Sequence, residues 1–85
     1  MKLTYEVRQK INRGRQLKFA REYRGITQSK LAKSVKGLSQ SNLSKYEKGL
    51  GGISEGTLQK TMEVLNFPMS FLDKTVGGYF VCKNW

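Results

Sequence analysis

Apolar positions recur along this chain at helical rather than strand spacing, and glycines cut the pattern into short pieces. Between residues 13 and 24, Leu17, Ala20, Arg21 and Arg24 fall at i, i+3, i+4 and i+7, one face of a helix that Gly25 ends. Thr27 is placed to cap a second helix over residues 28–35, with Leu31, Ala32 and Val35 on one side. A tight Lys36-Gly37-Leu38 connection follows. Ser39 then caps a third helix reaching residue 48, in which Leu43, Tyr46 and Glu47 face inward. A fourth starts after Ser54 and runs to residue 66, burying Leu58, Met62 and Leu65, although Gly56 weakens its first turn. Pro68 suits the first position of a fifth short helix over residues 68–73, with Phe71 and Leu72 turned to the core.

The fold class expected is therefore all-α, a compact bundle of about five short helices with a short extended C-terminal tail. Residues 1–12 read as an N-terminal extension, 13–73 as the domain and 74–85 as the tail. The tail, from Val76 through Tyr79, Phe80 and Cys82 to Trp85, is rich in β-formers and is open to three readings: a short strand, a partner-binding arm or a cut end.

Two charges break the apolar pattern. Arg21 shares a face with Leu17 and Ala20, and Glu47 shares one with Leu43 and Tyr46. An unpaired buried charge costs several kcal/mol, so the two are expected to form a structural ion pair that fixes the first helix against the third. The alternative is that each snorkels to water at the edge of the core.

Composition narrows the function. The 85 residues include no histidine and one cysteine, which excludes a His-based triad, an imidazole base and a His-containing metal site. Cys82 alone closes no intramolecular disulfide and holds no zinc cluster. No enzyme, cofactor or metal is expected, and no small-molecule substrate is evident. The N-terminus lacks the apolar segment of a signal peptide and no run approaches the roughly 20 apolar residues of a membrane span, so the expected setting is cytoplasmic, away from membranes. The net charge is +10, and all of the excess lies in the first fifty residues; beyond them Lys60, Lys74 and Lys83 balance Glu55, Glu63 and Asp73. That asymmetry suggests a polyanion-facing part and a neutral part, with a merely solvated basic surface as the alternative.

The outer side of the third helix gives this charge a direction. Gln40, Ser41, Ser44, Lys45 and Lys48 are all polar and none is acidic. Short amides and hydroxyls let a helix approach base edges, where Gln pairs bidentately with adenine, Ser with several bases, and Lys45 with guanine or a phosphate. Gln40, Ser41, Ser44 and Lys45 are accordingly the candidate base-reading residues. Residues 28–47, preceded by Gly25-Ile26-Thr27 and followed by Lys48-Gly49, resemble the helix-turn-helix of Cro/C1-type (XRE-like, lambda-repressor-like) DNA-binding regulators. The matching features are Thr27-Gln28 opening the second helix, Leu31-Ala32 within it, Gly37-Leu38-Ser39 at the turn, Gln40-Ser41 opening the third and Glu47-x-Gly49 closing it. The likeness extends over about residues 13–72.

The resemblance implies that Gln28 contacts the DNA backbone and braces Gln40, and that Arg21 and Glu47 match the family's buried pair. Helix N-termini hold phosphates, so the amides near Gln28 and Ser29 are candidate backbone contacts, with Arg13, Arg15, Lys18 and Lys48 as the remaining ones. One departure is visible: the family's turn glycine is ninth from the opening Gln, whereas Gly37 is tenth, so the turn should be one residue longer. Residues 65–72 look like the close of this module in regulators that carry a zinc-protease-like domain downstream; its histidine ligands are absent here, which leaves an N-terminal module or a free-standing relative.

The function expected is a sequence-specific DNA-binding regulator, a repressor that binds an approximately palindromic operator on double-stranded DNA as a homodimer. The dimer surface should come from the neutral half, where Phe71, Tyr79, Phe80 and Trp85 are candidates unless they complete the core. The rivals are a protein-interaction module that keeps the helix-turn-helix as a scaffold, or the regulatory N-terminal part of a larger protein. Binding to RNA or anionic membrane through charge alone is disfavoured, because the third helix exposes no stacking aromatic.

Overall fold

The computed structural model describes residues 4–73. Within them the chain is all-helical: α1 (Tyr5–Tyr23), α2 (Gln28–Ser34), α3 (Gln40–Glu47), α4 (Glu55–Leu65) and a terminal 3₁₀ helix (Met69–Asp73). Each α-helix begins on a hydroxyl. Thr4, Thr27, Ser39 and Ser54 accept hydrogen bonds from the backbone N–H groups of Val7, Lys30, Asn42 and Thr57 at 3.1, 3.1, 3.1 and 3.4 Å. α1, α3 and α4 end alike, with paired backbone bonds such as Leu50 N–H to Lys45 O (3.0 Å) and Gly49 N–H to Tyr46 O (2.9 Å), and with Gly25, Gly49 and Asn66 in left-handed conformation.

α1 starts eight residues ahead of the Arg13 expected from periodicity. Its first two turns bury nothing: Tyr5 and Val7 are exposed, so no apolar stripe marks them. The last element is a 3₁₀ helix rather than an α-helix, closed by Phe71 N–H to Pro68 O at 3.0 Å. The tail from residue 74, with the Tyr79, Phe80 and Trp85 surface expected there, lies outside the described residues.

The core consists of Leu17, Ala20, Leu31, Val35, Leu38, Leu43, Tyr46, Leu58, Met62, Leu65 and Leu72. α1 runs through its centre and holds the other elements with side chains as well as by packing. Asn12 and Gln16 donate to the carbonyls of Leu72 and Phe71 at 3.3 and 3.1 Å, and Arg24 donates to those of Leu65 and Asn66 at 2.7 and 3.2 Å. These are carbonyls at helix ends, which lack intrahelical donors.

α1 and α3 come into backbone contact at Gly14. A Cβ there would collide with the Tyr46 carbonyl oxygen and lie 3.1 Å from the Gly49 nitrogen, so only glycine permits this approach. Between α2 and α3, Val35 leaves the helix in extended conformation (φ −122°, ψ 119°). Leu38 N–H then bonds Val35 O at 3.2 Å, and Gly37 takes φ 89° at the third position of that turn, where a type II geometry demands positive φ.

Candidate nucleic-acid interface

α3 presents one face to the core and the opposite one to solvent. Leu43, Tyr46 and Glu47 are buried; Gln40, Ser41, Lys45 and Lys48 are exposed and Ser44 is half-buried. The outer face therefore combines neutral amide and hydroxyl groups with two lysines, on a helix about 12 Å long that a major groove of similar width admits.

Behind that face, one buried carboxylate ties α3 to α1 and α2. Glu47, with 4% of its side chain exposed, accepts Arg21 Nε on Oε2 at 2.7 Å and Arg21 Nη2 on Oε1 at 3.1 Å. Oε1 also accepts Gln28 Nε2 at 2.9 Å. Arg21 uses its remaining nitrogen on the Ile26 carbonyl at 2.7 Å, which ties in the loop between α1 and α2. The hydrogen bond to Glu47 raises the Arg21 guanidinium above its ordinary range against the opposing effect of burial. All buried side-chain polar atoms among the described residues are satisfied. Arg21 and Glu47 thus meet across α1 and α3 instead of snorkelling apart.

Lys18, Glu22, Gln28, Ser44 and Lys48 line one open cleft beside this pair. α1, α2 and α3 each contribute to it. Ser29 stands in the first turn of α2, and Arg15 is exposed one turn before Lys18 on α1.

Two expected contacts fall elsewhere. Arg13 is turned away from the cleft: its Nε and Nη2 donate to the two carboxylate oxygens of Asp73 at 2.9 and 3.2 Å, and Nη1 lies 3.7 Å from Glu55. The bond to Asp73 raises its pKa, and a guanidinium so engaged ties α1 to the C-terminal elements. Gln28 directs its side-chain amide to Glu47 rather than to Gln40. It supports the recognition helix through that helix's buried end.

Periodicity also missed an aromatic cluster on the flank of α1 opposite the one that meets α3. Phe19 stacks on Tyr23 and Phe71 with centroids 6.0 and 5.9 Å apart, and Phe67 lies 4.7 Å from Phe71 and 6.0 Å edge-on to Tyr23. The Arg24 guanidinium sits over the Phe67 and Tyr23 rings at 4.7 and 5.3 Å. Phe19 and Tyr23 keep 53% and 67% exposure, and Phe71 is half-buried among them. Their i, i+4 spacing was the available signal, but it falls outside the main apolar face.

No helix among the described residues is long and apolar enough to cross a membrane. No curated protein matches the chain. A helix-turn-helix family model matches residues 17–72, a span that opens on Leu17 and closes on Leu72, both core residues. With the turn, the capped recognition helix and the buried Arg21–Glu47 pair all inside that span, the chain belongs to the helix-turn-helix family of Cro/C1 (XRE) type, a family of DNA-binding transcription regulators rather than enzymes.

Proposed function

We propose that this protein is a sequence-specific repressor that binds an approximately palindromic operator as a homodimer. The observation that carries the reading is the outer face of α3, where Gln40, Ser41, Ser44 and Lys45 stand clear of the core while the Glu47 carboxylate fixes the helix from behind. In the complex α3 enters the major groove, and Gln40, Ser41, Ser44 and Lys45 meet base edges. Lys18 and Arg15 from α1, Lys48 from the end of α3, and the first turn of α2 at Gln28 and Ser29 hold phosphates on either side. Lysines and arginines supply affinity, and uncharged side chains read sequence.

The aromatic cluster supports the dimer. Phe19 and Tyr23 form an exposed apolar patch on the flank of α1 away from α3, so a second copy seated there leaves both recognition helices free. Two grooves on one side of a duplex lie about 34 Å apart, which sets the spacing required of the two α3 helices.

The test is selection of sites from a random DNA pool, with oligomeric state measured on the same sample. A palindromic consensus bound by two chains is expected; a consensus without symmetry bound by one chain overturns the dimer. Gln40→Ala should then relax discrimination between operator and scrambled DNA, whereas Lys48→Ala should weaken both and reduce the salt slope by about one unit per lost phosphate contact. Equal losses on both DNAs from Gln40→Ala overturn the base-reading role.

A further inference from the structure

The first two turns of α1 lie ahead of the helix-turn-helix match, and they carry a cation with no structural task. Arg8 is exposed, and no carboxylate among the described residues pairs with it, with Arg15 or with Lys18. The three fall at i, i+7 and i+10, which places them within about 80° of one another around the helix. Ile11 lies inside that arc, and a Cβ added at Gly49, just after α3, would come 3.1 Å from its Cα, so this edge of α1 runs directly beside the end of the recognition helix. The other cations of the same helical segment face elsewhere: Lys10 lies against Gly51, and Arg13 is held by Asp73.

We infer that Arg8, Arg15 and Lys18 form a phosphate-binding track along α1 that extends the DNA contact beyond the base pairs read by α3. The inference rests on the DNA-binding reading above and adds to it a surface that lies partly outside the matched family span. Arg8 and Lys18 are separated by ten residues, about 15 Å along the helix. Successive phosphates of one strand lie roughly 7 Å apart along the backbone, so the track spans about two to three phosphates of one strand. Unpaired cations aligned on one stripe repel each other in the free protein, and a polyanion alongside removes that repulsion. The contact carries no sequence information of its own, because guanidinium and ammonium groups on phosphates position a protein without reading bases.

The experiment compares Arg8→Ala with the wild-type protein on its selected operator, measuring affinity between about 50 and 200 mM salt. Alanine keeps the helix, and Arg8 has no partner among the described residues to lose, so the thermal midpoint should not move. Expected is a salt slope lower by about one unit per lost contact, about two for the dimer and so a roughly tenfold smaller loss of affinity over that range, with discrimination between operator and scrambled DNA unchanged. Lys60→Ala, which removes a cation from the exposed side of α4, should leave the slope as it is. An Arg8→Ala slope equal to wild type, or a Lys60→Ala slope reduced as much, overturns the track and leaves the regulator reading standing. Failure of the wild-type protein to prefer any DNA site overturns both.

Discussion

Replacing Gly14 by alanine adds one methyl group at the place where α1 passes over the last turn of α3. In an unobstructed helix interior this change stabilises by about 1 kcal/mol. Here the added carbon would strike the Tyr46 carbonyl oxygen and come 3.1 Å from both the Glu47 carbonyl oxygen and the Gly49 nitrogen. All three are backbone atoms, so no rotamer change clears them and the helices must separate. Overpacking costs about 1–3 kcal/mol, with a backbone collision at the upper end. Arg21 lies two turns along on the same helix, so separation also stretches its 2.7 Å bond to Glu47. The propensity gain offsets part of this, which leaves a net loss of about 2 kcal/mol.

For a domain of this size about 2 kcal/mol lowers the thermal midpoint by roughly 8–16 °C. The assay is thermal unfolding followed by circular dichroism, with Gly56→Ala run beside it. Gly56 lies in the first turn of α4 with open space where its Cβ would go, so the same chemical change there should stabilise by about 0.4–1 kcal/mol. A Gly14→Ala midpoint at or above wild type refutes the close-approach argument, and with it the account of how α3 is seated.

Three further outcomes follow from the ties around this contact. Arg21→Met and Glu47→Gln should each cost about 3–5 kcal/mol by leaving a buried group unpaired, and the double variant should cost clearly less than their sum; additive losses in a double-mutant cycle contradict the pair. Arg13→Ala should lower stability by up to about 1 kcal/mol, since Asp73 is half exposed, while leaving the salt slope of DNA binding unchanged; a reduced slope would restore Arg13 as a phosphate ligand. Burial raises the Tyr46 phenol above its usual pKa of about 10, so its contribution is intact below that pH and is lost as pH rises through the higher folded value. The stability gap between wild type and Tyr46→Phe, measured by denaturant unfolding, should therefore narrow above about pH 10, and a constant gap contradicts it.

What the sequence revealed, and what it hid, follows from the range of the interactions involved. Thr27, Ser39 and Ser54 mark the starts of α2, α3 and α4 because a cap is a bond to a residue three positions away. The outer face of α3 was legible as the complement of Leu43, Tyr46 and Glu47. The first turns of α1 were not, because Tyr5 and Val7 bury no stripe and only the Thr4 cap, bonding Val7, signals a start. Charge alone points Arg13 toward DNA; its partner Asp73 lies 60 residues away and no local pattern connects them. Gln28 and Glu47 are likewise joined only by the fold.

These long-range ties bear on how affinity and specificity divide. A phosphate contact from a flexible lysine tolerates a shift of an ångström or more, whereas a bidentate pairing with a base needs its side chain placed within about 0.5 Å. Gln40 and Ser44 take their position from α3, and α3 is anchored by the three donors that Arg21 and Gln28 direct at Glu47. Glu47→Gln keeps the shape of that side chain but removes the charge and replaces one acceptor oxygen by an NH2 donor, so the bidentate bond to Arg21 is lost. At a temperature where the variant is still folded, it should retain salt-dependent binding through Lys18, Arg15 and Lys48 yet lose most of its preference for operator over scrambled DNA. The readout is the ratio of the two affinities at fixed salt. A ratio equal to wild type, on protein shown by circular dichroism to be folded, means that the recognition helix is oriented by its apolar contacts alone and that the buried carboxylate serves stability only.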